Sequence, residues 1–173
     1  MAVPKQKFRE IVLLLLYSYD LAVTTEDEMQ ELVMETLEVT KKNVKEAFER
    51  MLLVFEKIDL IDKLIRETST TYDLGRIQRL EKNVLRLGIF EMLYDDSIPE
   101  KVAIHEAMRL ARKFSTKEAA SFVNALLDTI YKKSIGEKED NELLSESTEK
   151  LLQSEEIAKE VALKDIAVPL EET

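Results

Sequence analysis

The sequence predicts an all-α fold, and three observations carry that prediction. Only 3 glycines and 3 prolines occur in 173 residues, which leaves little material for hairpin turns. Apolar residues recur at three- and four-residue spacing through most of the chain, the period of a helix with one buried face. A Ser or Thr stands three positions ahead of a Glu before two of those stretches, the pattern of a helix N-terminus. Strands are needed nowhere and no internal repeat is present. The expectation is a compact helical bundle of about seven helices in front of an acidic extension.

The first element runs from Phe8 to about Leu21, where the aliphatic run Ile11 to Leu16 is dense enough for a mostly buried helix. Thr25 and Glu28 in TTEDEM form a capping box that opens a helix through about Glu38. Thr40 caps the next, read as a single long helix with the stripe Val44, Phe48, Met51, Phe55, Ile58, Ile61 and Ile65. The segment ETSTTYDLG, residues 67–75, is a polar break. A second dense helix follows from about Arg76 to Tyr94, with Ile77, Leu80, Val84, Leu87 and Met92 in its stripe. Gly88 in its middle costs about 1 kcal/mol relative to Ala, which a close crossing by another helix would explain.

DDSIP ends that helix, and Pro99 suits the first position of the next. Residues 99–114 are expected to bury Ile104, Ala107, Met108 and Ala111 and to turn His105, Arg109, Arg112 and Lys113 to solvent. Ser115 to Glu118 reads as another capping box, starting a helix to about Lys133 with Phe122, Val123, Leu126 and Ile130 in its stripe. Gly136 is the stop. Beyond it the chain is acid-rich with weak periodicity, so 137–173 is expected to be a loosely attached, flexible tail with transient helix, and 1–136 the folded domain.

Charge follows the same division. The chain carries a formal −10, but residues 137–173 hold 12 acids and 4 bases while residues 1–136 hold 23 acids and 21 bases. The acidity is mostly a property of the tail, so a basic patch on the body remains compatible with the overall charge.

Several chemistries find no support. There is no cysteine and a single histidine, His105, so disulfides, thiolate metal sites and triads lack their residues. His105 is read as a solvated surface side chain. No Gly-rich phosphate loop and no metalloprotease motif occurs. No catalytic residue, metal ligand or cofactor is assigned, and the chain is not expected to be an enzyme. The opening KQKFREIVLLLLYSYD has a basic start before an apolar run, yet the run is too short for a signal peptide and no small-residue cleavage site follows. A cytoplasmic location is expected. Glu91 lies in the apolar belt LGIFEMLY and needs a partner if buried, for which Arg86 and Arg109 are the candidates.

The basic residues are more informative. Lys5, Lys7 and Arg9 crowd the start of the chain, where a flexible arm could lie along a phosphate backbone. Tyr17 and Tyr19 follow on the same element, and Phe114 and Phe122 flank the turn between two later helices. An exposed ring beside cations can stack a base. The plainer reading of these rings is that they belong to the core, and spacing alone leaves both open.

Two stretches resemble the bacterial transcription antitermination factor NusB family. RIQRLEKNVLRLGIFEMLYDDSIPEKVAIHEAMRLARKFSTKEAASFVNALLD, residues 76–128, is similar to the long family signature, with IP-x-KVAI-x-EA, LA-x-KF and FVN-x-x-LD in order. Residues 5–20 are similar to its basic N-terminal motif running into LY. The resemblance implies two packed helical subdomains and a factor without catalytic activity. It implies binding of single-stranded boxA-type RNA as a heterodimer with ribosomal protein NusE, in ribosomal RNA operons. Other Nus factors and RNA polymerase complete the implied assembly, no membrane is involved, and a homodimer is left open when the partner is absent. The basic arm falls on Lys5, Lys7 and Arg9, the RNA-side rings on Tyr17, Phe114 and Phe122, an acidic RNA-side position on Glu118, and the partner side on Glu81. The arm has two lysines and one arginine where the family is usually arginine-rich, His105 stands where Asn is typical, and Ala125 where Gly is usual. These departures imply weaker RNA affinity or greater reliance on the partner. A scaffold with little direct RNA contact is the alternative. A methyltransferase accessory role is disfavoured because no Gly-rich nucleotide-binding segment is present.

Overall fold

Helix-compatible periodicity and capping place the described residues, 2–22, 25–137 and 141–166 of a computed structural model, in eight α-helices. They are α1 (Lys5–Leu21), α2 (Glu26–Leu37), α3 (Lys41–Glu56), α4 (Ile58–Thr68), α5 (Arg79–Tyr94), α6 (Glu100–Phe114), α7 (Lys117–Ser134) and α8 (Asn141–Ile166). No strand occurs among the described residues. The N-terminal group packs α1 on α2 and α3, and the C-terminal group packs α5, α6 and α7 on one another. The α1–α5 and α4–α7 contacts join the two groups.

Helix α5 and the aliphatic middle of α1 are enclosed because their sequences are apolar on nearly all sides there. Ile11, Val12, Leu13, Leu15 and Leu16 are fully buried, as are Val84, Leu85 and Ile89. A helix buried all round must bring its polar residues inside as well, and α5 also encloses Glu81, Asn83, Arg86 and Glu91. Gly88 sits at a close crossing. A Cβ there would lie 3.0 Å from the Ala107 Cβ of α6 and 3.0 Å from the Leu127 Cδ1 of α7. The cost of glycine in the helix is offset by this approach of three helices.

The capping box at Thr25 forms as expected, with the Thr25 backbone N–H donating to Glu28 Oε2 at 2.9 Å and the Glu28 N–H donating to Thr25 Oγ1. Thr40 caps α3 by accepting from the Asn43 N–H. Helix α1 starts at Lys5, ahead of the expected Phe8, and α5 at Arg79, after the expected Arg76, which leaves Ile77 in the preceding turn. Three further boundaries also differ from expectation. The single helix expected from Thr40 past Ile65 is two, broken at Lys57, whose φ of −106° and ψ of 3° leave the helical region. The apolar spacing runs through the break without interruption, so periodicity alone does not reveal it. Pro99 is the residue ahead of α6, one place before the first helical position expected of it. At α7 the cap is Thr116, accepting from Ala119 N–H at 3.1 Å, and not Ser115, whose hydroxyl instead donates to Glu81.

The larger correction concerns the extension. Residues 141–166 form one continuous helix, and its first half packs on α7, burying Leu144, Ser147, Thr148 and Leu151. Its turns place those residues at three- and four-residue spacing, which makes one buried stripe of two leucines and two small hydroxyl side chains despite the high acid content. From Glu156 to Asp165 every residue is exposed. Residues 167–173, and 138–140 between α7 and α8, lie outside the described residues.

Tyr72 explains part of this docking. It lies in the break between α4 and α5, is 2% exposed, and sets its ring edge-on to Phe122 at 5.5 Å between centroids. Its hydroxyl donates to the Glu155 carboxylate of α8, 3.0 Å from each oxygen. Burial, then this carboxylate acceptor, pushes the phenol well above its ordinary value of 10.

Candidate nucleic-acid interface

Cations at the start of α1 sit at the positive end of a helix dipole, an unfavourable place for them. The structure compensates with carboxylates. Arg9 is buried, not on a free arm, and its Nε donates to both oxygens of Glu91 at 2.9 Å. Its Nη1 lies 3.7 Å from Glu106 Oε2. Arg109 links Glu106 and Glu10, each at 2.9 Å, and Lys113 reaches the same Glu10 oxygen at 2.9 Å. The partner of Glu91 is thus Arg9, in place of the expected Arg86 or Arg109. Arg86 is engaged elsewhere, in a two-pronged pair with Asp62 at 2.8 Å.

Electrostatics differ within this one network. For Glu10, burial works to raise the carboxyl, but hydrogen bonds and charge from Lys113 and Arg109 outweigh it and hold the group below its ordinary value of 4.5. For Glu91, burial dominates and Arg9 offsets it only in part, so the group is raised above 4.5. Arg109 is raised, the two glutamates prevailing over burial.

The sequence-predicted site residues divide into three sets. Lys5 is exposed and Lys7 half-buried in the first two turns of α1, a helix start and not a flexible arm. Between them, Gln6 donates to Glu106 at 3.4 Å and its carbonyl accepts from Arg109 at 3.2 Å, which ties this end of α1 to α6. Phe114, half-buried at the end of α6, carries Lys113 Nζ 5.6 Å from its ring centre. Tyr17 is half-buried two turns beyond Glu10, on the same face of α1. Glu118 is half-exposed in the first turn of α7, where its charge suits the helix dipole.

Arg9 and Phe122 form the second set. Phe122 is 0% exposed against Tyr72, so the expected base-stacking ring is a core residue in this structure. The plainer reading of its spacing holds. Glu81 stands apart at the N-terminal turn of α5, 3% exposed and bound to Ser115. Tyr19, 54% exposed, packs its ring on Phe55 at 4.6 Å.

Sequence reasoning placed His105, Arg109, Arg112 and Lys113 on a solvent face but did not join them to the arm; Arg109 is in fact half-buried between Glu10 and Glu106. All four line an open groove of about 280 Å³ together with Met108, expected in the core but half-buried. Their spacing of three, four and seven residues would have indicated that Arg109, Arg112 and Lys113 share one helix face with His105. Gln6, between Lys5 and Lys7, is bonded to the same helix, so the start of α1 and this row form a basic edge bordered by the half-buried Phe114 ring. Such an edge can hold a phosphate backbone and offer a ring to an unpaired base. No group of three or more metal-ligating side chains occurs among the described residues, and no described helix is long and apolar enough to cross a membrane.

Comparison with known proteins agrees with the earlier resemblance. The NusB family model matches residues 6–132. The transcription antitermination protein NusB of Chlamydia pneumoniae is 38% identical over 128 residues, covering 74% of this chain and 80% of that one. Among solved structures, T. maritima NusB superimposes with a TM-score of 0.64 at 28% identity, covering 77% of this chain and 94% of that one. A crystal structure of antitermination factors NusB and NusE in complex with dsRNA gives a TM-score of 0.64 at 26% identity, covering 75% and 96%. The family match spans α1 through most of α7 and stops ahead of α8. The chain belongs to the NusB family.

Proposed function

We propose that this protein is an RNA-binding transcription antitermination factor. It binds boxA-type RNA together with ribosomal protein NusE and supports transcription of ribosomal RNA operons by RNA polymerase, alongside other Nus factors in the cytoplasm. The observation that carries the reading is the basic edge, where the start of α1, with Lys5 and Lys7 on either side of Gln6, is tied through Gln6 to Arg109 in the α6 row of His105, Arg109, Arg112 and Lys113. A body of nearly balanced charge concentrates cations there, and that suits a polyanion. The relatives' name and the solved NusB–NusE–dsRNA complex support the same conclusion.

In this reading Lys5 and Lys7 contact phosphates, Tyr17 and Phe114 accept bases at the margin, and Glu118 lies beside the RNA path. Arg9 and Phe122 act from beneath, by holding α1 on α5 and by filling the core under α7. Glu81 belongs to the face that meets NusE. The domain of residues 1–136 carries the RNA function, and the role requires no catalytic residue or cofactor.

Fluorescence anisotropy with boxA-containing RNA, with and without NusE and across a salt series, tests this. Expected is salt-sensitive binding that strengthens with NusE. Salt-insensitive or absent binding in both conditions would sink it. One observation favours the scaffold alternative: the burial of Arg9 leaves only two cations of the arm for RNA. A pull-down of NusE that survives nuclease treatment, with no RNA bound, would be its signature.

A further inference from the structure

Helix α8 lies outside the family match, which ends at residue 132. Its distal half does not seal against the body. Between it, the first turn of α5 and the α6–α7 turn runs a groove of about 400 Å³. Leu151 and the Tyr72–Glu155 hydrogen bonds fix α8 at the groove's inner end.

Two observations at this groove point to a ligand. The first is Glu81, which lines it. One carboxylate oxygen accepts from Ser115, while Oε2 is buried with no hydrogen-bond partner. A buried acceptor left unfilled costs about 1–3 kcal/mol, and more when charged, so an incoming donor would complete it. The second is the face that α8 turns toward the groove. Ser154, Ala158 and Ala162 stand four residues apart, and Ala158 and Ala162 are exposed. These three short side chains leave a row along which a polypeptide backbone can approach α8 closely, between Glu155 and Lys159.

Charge selects the occupant. Glu81 and Glu155 line the groove with a single cation, Lys159. Helix α8 as a whole carries seven acids against three lysines. An anionic strand is disfavoured here and a cationic peptide favoured. We propose that this groove receives an extended basic segment of the protein partner, with a lysine or arginine donating to Oε2 of Glu81 and its backbone lying along Ser154, Ala158 and Ala162. Helix α8 thereby supplies a second wall to the partner site, one that the family core does not include. The inference rests on the reading that NusE meets the Glu81 side of the molecule.

Calorimetric titration of the full chain with purified NusE tests it, using Ala158→Trp to fill the groove and Glu81→Gln to remove the charge. Ala158 is exposed, so the bulky side chain leaves the fold intact, checked by circular dichroism and melting temperature. Both variants are expected to weaken NusE binding by about tenfold or more, with Ala158→Trp leaving RNA binding in the absence of NusE unchanged. NusE binding to Ala158→Trp as tight as to the natural chain, or tighter, overturns the inference and leaves the functional reading standing. Absence of NusE binding by the natural chain overturns both.

Discussion

The Nε of Arg9 lies 2.9 Å from both carboxylate oxygens of Glu91, across 82 residues of sequence and inside the α1–α5 contact. Both side chains are less than a tenth exposed. The residue that sequence assigns to an RNA arm is thereby a clamp between the two helical groups. Removing one member of a buried pair leaves the other charge uncompensated, at a cost of about 3–5 kcal/mol. Arg9→Ala is expected to lower unfolding stability by that order in urea titration. A stability change within about 0.5 kcal/mol, the range of ordinary surface substitutions, would show that Arg9 is not a clamp.

Lys5 and Lys7 should behave in the opposite way. They are exposed and half-buried, respectively, and neither has an ion-pair partner among the pairs found in the described residues. Replacing both with Gln is expected to leave stability within about 0.5 kcal/mol. If each holds one phosphate of a single strand, the slope of log affinity against log salt should fall by roughly 1.4. Parallel salt dependences for variant and natural chain would remove these lysines from the RNA surface.

Phe122 is expected to report packing. Truncating a fully buried Phe to Ala costs about 3–5 kcal/mol, and here it also removes the edge-on partner of Tyr72. Phe122→Ala should reduce stability strongly, and Phe122→Leu, which keeps most of the volume, should retain RNA affinity. Loss of RNA affinity by Phe122→Leu with an unchanged melting temperature would indicate a stacking role instead.

Gly88→Ala sets helix propensity against packing. The substitution gains about 1 kcal/mol of helix preference, while overfilling a packed core costs about 1–3 kcal/mol. The Leu127 methyl can rotate away, but the Ala107 Cβ at 3.0 Å is fixed to the backbone of α6. Packing is therefore expected to prevail, with net destabilisation on the order of 1 kcal/mol. A more stable variant would mean that α5 and α6 separate more readily than this crossing suggests.

The carboxylates of the α1 network should titrate on opposite sides of the ordinary glutamate value of 4.5, Glu10 below and Glu91 above. The signs for stability are opposite as well. Glu10, lowered in the folded state, contributes stability that is present above 4.5 and lost as pH falls through its folded value. Glu91, raised by burial, binds its proton more tightly when folded, so its protonation favours the fold and that contribution is lost as pH rises from 4.5 through its folded value. Carboxyl-carbon NMR titration distinguishes them. Coincident midpoints would show that the network does not separate the two sites.

What the chain determines locally was readable from residues a few positions apart. The buried runs of α1 and α5, the Thr25–Glu28 box, the Thr40 cap and the stop at Gly136, whose φ is +73°, all depend on contacts within a helix turn or on one residue's own backbone freedom. The family signature in 76–128 was legible for the same reason, as contiguous sequence. The break at Lys57 was not, because an apolar stripe with unbroken spacing serves one straight helix or two bent ones equally well.

Tertiary structure decided which charges are free and which rings are exposed. Arg9 and Lys5 look alike in a list of cations, yet one meets Glu91 and the other meets solvent. Tyr72, in a stretch that reads as a polar break, becomes buried only because Phe122 and Glu155 arrive from α7 and α8. The acidic extension docks for a related reason: its spaced Leu144, Thr148 and Leu151 find an α7 surface to cover. Helix formation is governed by neighbours four residues away, whereas desolvation depends on partners brought from 50 to 100 residues away, and only the folded chain specifies those.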